Sequence, residues 1–235
     1  MSFNNKPLQG ENLETIPPSL LDQQGIINFT KEYIKNQFSQ EGSGHDWQHI
    51  YRVWNTSKQI SAVEGGNTFI IEMAALLHDI ADWKFYGGDL NIGPQKAKEW
   101  LTQFNINKKL INSIVDIVAN ISFKGIAKKN TNLSPEGQIV QDADRLDTIG
   151  AIGIARVFAY SGFTGRQIYN PNLKPIEHKS TESYFNNNNT AINHFYEKLL
   201  LLKDLMNTNY AKKLAEERHN FMVLYLNQFF KEVGE

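Results

Sequence analysis

The sequence predicts an all-α fold, and three observations carry that expectation. Apolar residues recur at intervals of three and four, as in Ile26, Ile27, Tyr33, Ile34 and Phe38, which is the period of a helix with one buried face. Alternating runs with hairpin punctuation, the mark of paired strands, are nearly absent. Helix-start residues stand where such runs begin: Asp46 as an N-cap, and Ser134-Pro135-Glu136 as cap, first-turn proline and first-turn acid. At 235 residues and 41% hydrophobic, the chain is long enough to bury a sizeable core.

Taken in order, residues 1–22 hold Pro7, Gly10, Pro17 and Pro18 among polar neighbours without a period, and read as a loose N-terminal arm ahead of one domain over 23–235. A first helix runs from about Ile26 to "EGSGHD". A second spans about Asp46 to Val63, with Trp47, Ile50, Val53, Trp54 and Ile60 on one side. "GGN" ends it. A third, Asn67 to about Ala81, is apolar over most of its surface and belongs in the middle of the fold. Further helices are predicted at about Pro94 to Phe104, Asn107 to Ile121, Ser134 to Ile154 with a break near Gly150, Asn189 to Met206, and Thr208 to Val233. Residues 162–189 form a long irregular segment, which in a compact domain is a binding loop or lid more often than filler. Its asparagine tract reads as a solvated bend.

Composition removes several classes of function. A formal net charge of −1, with 24 basic and 25 acidic residues, gives no long-range field to draw in nucleic acid or an anionic membrane. An anionic substrate must therefore be held by a few local charges. No cysteine is present, so thiolate chemistry and disulfides are excluded. The opening residues lack a signal-peptide pattern and no run suits a membrane span, so a cytoplasmic location is expected.

"MAALLHDIAD", residues 73–82, places a histidine and carboxylates at the end of the most apolar helix. Burial there is costly for unpaired charge. His49, 29 residues earlier, and Asp144, in "QDADRLD", stand in comparable apolar settings. Two imidazoles and two carboxylates from three helices can converge on one divalent cation, which neutralises the carboxylates. A hydrogen-bonded core pair is the alternative for His78 and Asp79 taken alone.

The ordered set H-x-x-R-V at His49, H-D at His78-Asp79 and the later Asp144 resembles the HD superfamily of metal-dependent phosphohydrolases. "GHDWQHIYRVW", "AALLHDIADWK", "NISFKG", "QDADRLDTIGAIGIARVFAY", "EKLLLLKDLMNT" and "ERHNFM" extend the likeness, over roughly residues 25–233, to the YpgQ/YedJ-like group of bacterial HD-domain hydrolases. The resemblance implies that His49, His78, Asp79 and Asp144 are the metal ligands. HD enzymes with two metals recruit extra histidines between the HD pair and the last aspartate. None lies between His78 and Asp144, which favours a single metal. The ligand set suits Mn²⁺ best, with Mg²⁺, Co²⁺, Fe²⁺, Zn²⁺ and Ni²⁺ as alternatives.

Other residues take expected roles around that centre. Asp82 lies one turn beyond His78 and Asp79 along the same helix face, and the resemblance implies an acid at that offset, as in related single-metal enzymes; it is the expected general base. Arg52, one turn after His49, and Lys84 are expected to neutralise the phosphates, with Lys124 of "SFKG" a weaker candidate. His45 precedes the helix of His49 and is a further substrate or metal candidate. Asp89 is a candidate acid for the leaving group, and Arg166 a candidate substrate contact from the long segment. Arg145 is expected in an ion pair with Asp147 or Asp142.

For the substrate, the resemblance implies a nucleotide: hydrolysis of a (deoxy)nucleoside triphosphate to the monophosphate and pyrophosphate. A 5′-nucleotidase acting on monophosphates and a non-catalytic nucleotide sensor are the alternatives.

Overall fold

In the computed structural model of the protein, the described residues are 17–39, 46–81, 89, 91–121, 133–176 and 189–234. Their helices are α1 (Gln23–Phe38), α2 (Trp47–Glu64), α3 (Thr68–Leu77), α4 (Ile92–Leu101), α5 (Lys108–Asn120), α6 (Pro135–Asp147), α7 (Gly150–Phe163), α8 (Ala191–Glu197) and α9 (Asn209–Val233). Short 3-10 helices cover Pro18–Leu20 and Leu199–Leu205. No strand occurs among the described residues. The all-α expectation holds.

The sequence's most apolar helix is the one its neighbours pack on. Phe69, Ile70, Ile71 and Met73 to Leu77 of α3 are all buried, and α1, α2, α5 and α6 lie against it. A helix apolar on every side is stable only when every side is covered. Asn67 caps it through its side chain, accepting from the Ile70 N–H at 3.2 Å, while the Asn67 N–H donates to Glu136 of α6 at 3.2 Å. α4 packs on α5, and its Trp100 stacks on Tyr33 of α1 with ring centroids 3.8 Å apart and donates to Thr30 Oγ1 at 2.9 Å. On the other flank α9 packs against α7, α6 and α2. Asp142 of α6 holds the start of α9 by accepting from the N–H groups and side chains of Asn207 and Thr208 at 2.7 to 3.1 Å.

The predicted boundaries can be compared with the observed ones at three places. α3 ends at Leu77, four residues before the expected Ala81, because His78 Nδ1 bonds to the Ala75 carbonyl at 2.8 Å, the acceptor that a continuing helix would give to residue 79. The break expected near Gly150 in the helix over 134–154 is present: α6 ends at Asp147 and α7 begins at Gly150 and runs on to Phe163. Gly150 has φ +76°, and at Gly153 any added Cβ would run into the Thr148 carbonyl, so both glycines are needed for the reversal. The helix expected over 189–206 starts at Ala191 and changes to 3-10 geometry at Lys198.

The long segment is pinned where it is described. Ala191 and Ile192 N–H groups donate to the Gln167 and Ile168 carbonyls at 2.9 and 3.0 Å. Buried Glu197 accepts from the Ile176 N–H at 3.0 Å and from Asn189 Nδ2 at 2.6 Å. Asn189, expected in a solvated bend, is buried instead; its side chain also donates to the Lys174 carbonyl and accepts from Asn193.

Candidate metal centre

Asp46 begins the site by ending the chain's freedom before α2. Its carboxylate accepts the His49 N–H at 2.8 Å, which fixes the first turn and the root of the His49 side chain. His49 is then 1% exposed, and its Nδ1 donates to Asp147 Oδ2 at 2.7 Å. His78, at the end of α3, commits its own Nδ1 to the Ala75 carbonyl. Both imidazoles thus use one nitrogen as a donor and turn the other inward.

The two Nε2 atoms stand 3.2 Å apart. Asp79 Oδ2 is 3.4 Å from each, and Asp144 Oδ1 is 3.6 Å from His49 Nε2 and 4.0 Å from His78 Nε2. The donor atoms of His49, His78 and Asp79 lie within 4.8 Å of one another. With both Nδ1 atoms donating, neutral rings would face lone pair against lone pair, with two carboxylates alongside. Such a concavity is stable only around a positive charge. A proton serves in part: burial alone would lower the His49 pKa, but the hydrogen bonds that the ring gives to the Asp147 and Asp79 carboxylates outweigh it and raise it to about 9. Nitrogen and oxygen donors converging at these separations also fit a divalent ion. The histidines form the floor, and the Asp79 and Asp144 side chains, 20% and 28% exposed, form an open rim.

Behind His49 lies an ionic layer that the sequence reading passed over. Asp147 Oδ1 accepts from Arg52 Nε at 2.6 Å, and Oδ2 accepts from Arg52 Nη2 at 3.1 Å and Arg156 Nη1 at 2.9 Å. Burial would raise the Asp147 pKa, but these cations and His49 hold its carboxyl well below the usual range. Of the two partners expected for Arg145, Asp147 is taken by Arg52 and Arg156, while Asp142 acts on the Arg145 charge together with Asp144; the Arg145 Nη1 itself donates to the Leu205 carbonyl. The spacing of Asp144 and Asp147, three residues apart on α6, was the available signal, since i and i+3 share a helix face.

The other predicted residues that are described make the following contacts. Arg52 turns Nε and Nη2 to Asp147 and keeps a third of its side chain exposed. Asp89 is exposed, and its carboxylate accepts the Asn91 N–H at 2.9 Å, forming the turn into α4. Arg166 follows α7 and lies 5.6 Å over the Tyr160 ring. His45, Asp82, Lys84 and Lys124 lie outside the described residues. Because α3 stops at Leu77, the helical offset that linked Asp82 to the ligands does not apply.

The HD domain family model matches residues 46–149, the span that carries all four clustered residues. YpgQ of Bacillus subtilis is 37% identical over 204 residues, covering 86% of this chain and 91% of that protein. The chain belongs to the HD-domain superfamily. Within it, the protein resembles an HD-superfamily hydrolase of Bacillus thuringiensis, with 43% identity, TM-score 0.71, and coverage of 91% of this chain and 99% of that one. A structure of B. subtilis YpgQ in complex with ADP superimposes with TM-score 0.69 at 36% identity, covering 88% and 97%. This HD-superfamily member is a metal-dependent phosphohydrolase of the YpgQ-like group. No helix among the described residues is long and apolar enough to cross a membrane.

Proposed function

We propose that this HD-domain protein is a nucleotide pyrophosphatase of the cytoplasm that hydrolyses (deoxy)nucleoside triphosphates to monophosphates and pyrophosphate. The observation that supports a nucleotide is the ADP complex of the YpgQ relative, a protein matched over nearly its whole length. In this reading His49, His78, Asp79 and Asp144 hold one divalent ion, Mn²⁺ by preference, and the inward pair of imidazole nitrogens 3.2 Å apart is what favours a cation there. A divalent ion in such a site supplies Lewis-acid polarisation of a phosphoryl oxygen and makes water more acidic.

The chain's own residues divide the rest of the work. Water forms a bond to the α-phosphorus, the bond from that phosphorus to the oxygen bridging the β-phosphate breaks, and pyrophosphate leaves. Asp82 takes the proton from the attacking water, and Asp89 protonates the leaving oxygen. Arg52 offers the phosphates the guanidinium N–H groups not turned to Asp147; Lys84, Lys124, Arg166 and His45 supply further contacts to the anion or the base.

The test is a product assay on metal-stripped protein with Mn²⁺, Mg²⁺, Co²⁺ or Zn²⁺ restored, against nucleoside mono-, di- and triphosphates. Pyrophosphate released from triphosphates, abolished in Asp79→Ala, is expected. Orthophosphate from monophosphates would replace the reading with a 5′-nucleotidase, and silence with metal bound would replace it with a nucleotide sensor. Asp82→Ala should keep its metal and lose about 10²- to 10⁴-fold in kcat, the usual contribution of a positioned base.

A further inference from the structure

The two histidines of the cluster are held by different partners, and the difference is chemical. His78 donates from Nδ1 to a neutral backbone carbonyl at 2.8 Å, whereas His49 donates to a carboxylate at 2.7 Å. A carboxylate partner pulls on the Nδ1 proton, makes the opposite nitrogen a stronger donor and locks the tautomer that bears its lone pair at Nε2. A carbonyl does so weakly.

Asp147 is also unusually well fixed for this task. Its side chain is 6% exposed, and α2 and α7 each send a guanidinium to it. Arg52 engages both oxygens, so the carboxylate plane cannot rotate, and Arg156 bonds the same oxygen that receives the His49 N–H. Both arginines carry a fixed positive charge and donate to the carboxylate from different elements. Its last neighbour, Arg218 of α9, donates to the adjacent Leu146 carbonyl and adds a third positive charge nearby. The carboxylate is thus held from several elements and offered to one ring nitrogen.

We infer that Asp147 is a positioning residue for the metal centre: through His49 Nδ1 it orients His49 Nε2 and strengthens it as the leading nitrogen ligand, with Arg52 and Arg156 serving to hold the carboxylate rather than the substrate alone. This rests on the reading that the four clustered residues bind a divalent ion. It makes His49 the stronger and His78 the weaker imidazole ligand.

The experiment is titration calorimetry of Mn²⁺ into metal-stripped full-length protein without nucleotide, together with the visible spectrum of the Co²⁺ form. Asp147→Asn keeps the shape but offers His49 no anion, and its Mn²⁺ affinity should fall about 10- to 100-fold, the usual effect of removing such a partner. The Co²⁺ bands should shift as the ligand field weakens. Thr30→Val, which removes the Trp100 hydrogen bond in the α1–α4 contact, should lower stability and leave both readouts at wild-type values. If Asp147→Asn leaves an uncompensated arginine that prevents folding, Asp147→Asn with Arg156→Met restores the charge balance and must show the same loss. Wild-type affinity and spectrum in either folded variant would overturn the role of Asp147. A wild-type chain that binds no Mn²⁺ would overturn the metal reading beneath it, and neither result depends on which phosphate ester is cleaved.

Discussion

Asp147 ties the acid and alkaline edges of stability to one pair of side chains. Its carboxyl is held well below the usual range, so it stays ionised in the fold at pH values where the unfolded chain, with a carboxyl pKa of about 4, takes up a proton. That stabilisation is complete above about pH 4 and drains away as pH falls further. His49 acts in the opposite sense in metal-free protein. Its raised pKa gives stability that is whole below about 6.5 and is lost as pH rises through about 9. Asp147→Asn should therefore cost about 3 kcal/mol near neutral pH, the scale for breaking one side of a buried ion pair. Urea midpoints measured in EDTA should show the gap between wild type and variant narrowing from pH 5 to pH 2.5, and a constant gap would contradict this account.

Among the elements, the α6–α7 reversal is the joint on which the site depends. α6 carries Asp144 and Asp147, α7 carries Arg156, and Gly150 and Gly153 permit the turn between them. Gly153→Ala forces a methyl against the Thr148 carbonyl and should destabilise by about 2 to 3 kcal/mol, the range for overpacking, with Mn²⁺ affinity falling alongside. A Gly165→Ala control has open space around its Cβ, so its cost should come only from the positive φ of +71°. Denaturation midpoints would distinguish steric from conformational cost. The elements also show how far the sequence could be read. Periodicity and apolar content gave α2, α3 and α5, and the capping side chains of Asp46 and Ser134 marked the starts of α2 and α6, because such signals are written in neighbouring letters. The end of α3 was hidden because no glycine or proline marks it; a histidine bonding back to Ala75 does. The Asp147 layer was hidden for a related reason. "DADRLD" offers several carboxylates to several cations, and only the packing of α2 and α7 against α6 assigns the partners.

For the whole molecule, His49, Asp79 and Asp144 join stretches far apart in the chain through α2, the end of α3 and α6. An ion that binds this arrangement and not the unfolded chain adds stability by mass action, about 2.7 kcal/mol at a hundredfold excess over Kd. Thermal melts should show the midpoint rising with Mn²⁺ concentration and falling in EDTA, with Asp79→Ala indifferent to both. An Asp79→Ala midpoint that still climbs with Mn²⁺ would place the binding elsewhere. The all-α class was legible at this scale because the hydrophobic period runs through most of the chain. The tie between residues 167–176 and the start of α8 was not, since it rests on backbone groups and on Asn189, whose letter reads equally well as a bend.

The placing of Asp144 and Asp147 on one helix has a mechanical consequence. If α6 turns about its axis, the rim carboxylate and the carboxylate gripping His49 swing together, as two teeth of one gear. An error in seating α6 is thus shared by both, because the helix fixes the offset between their Cα atoms. Two donors of the cluster, Asp144 and His49, are in this way ruled by a single part, and the tolerance of the machine is the tolerance with which α2, α3, α7 and α9 hold that part in place.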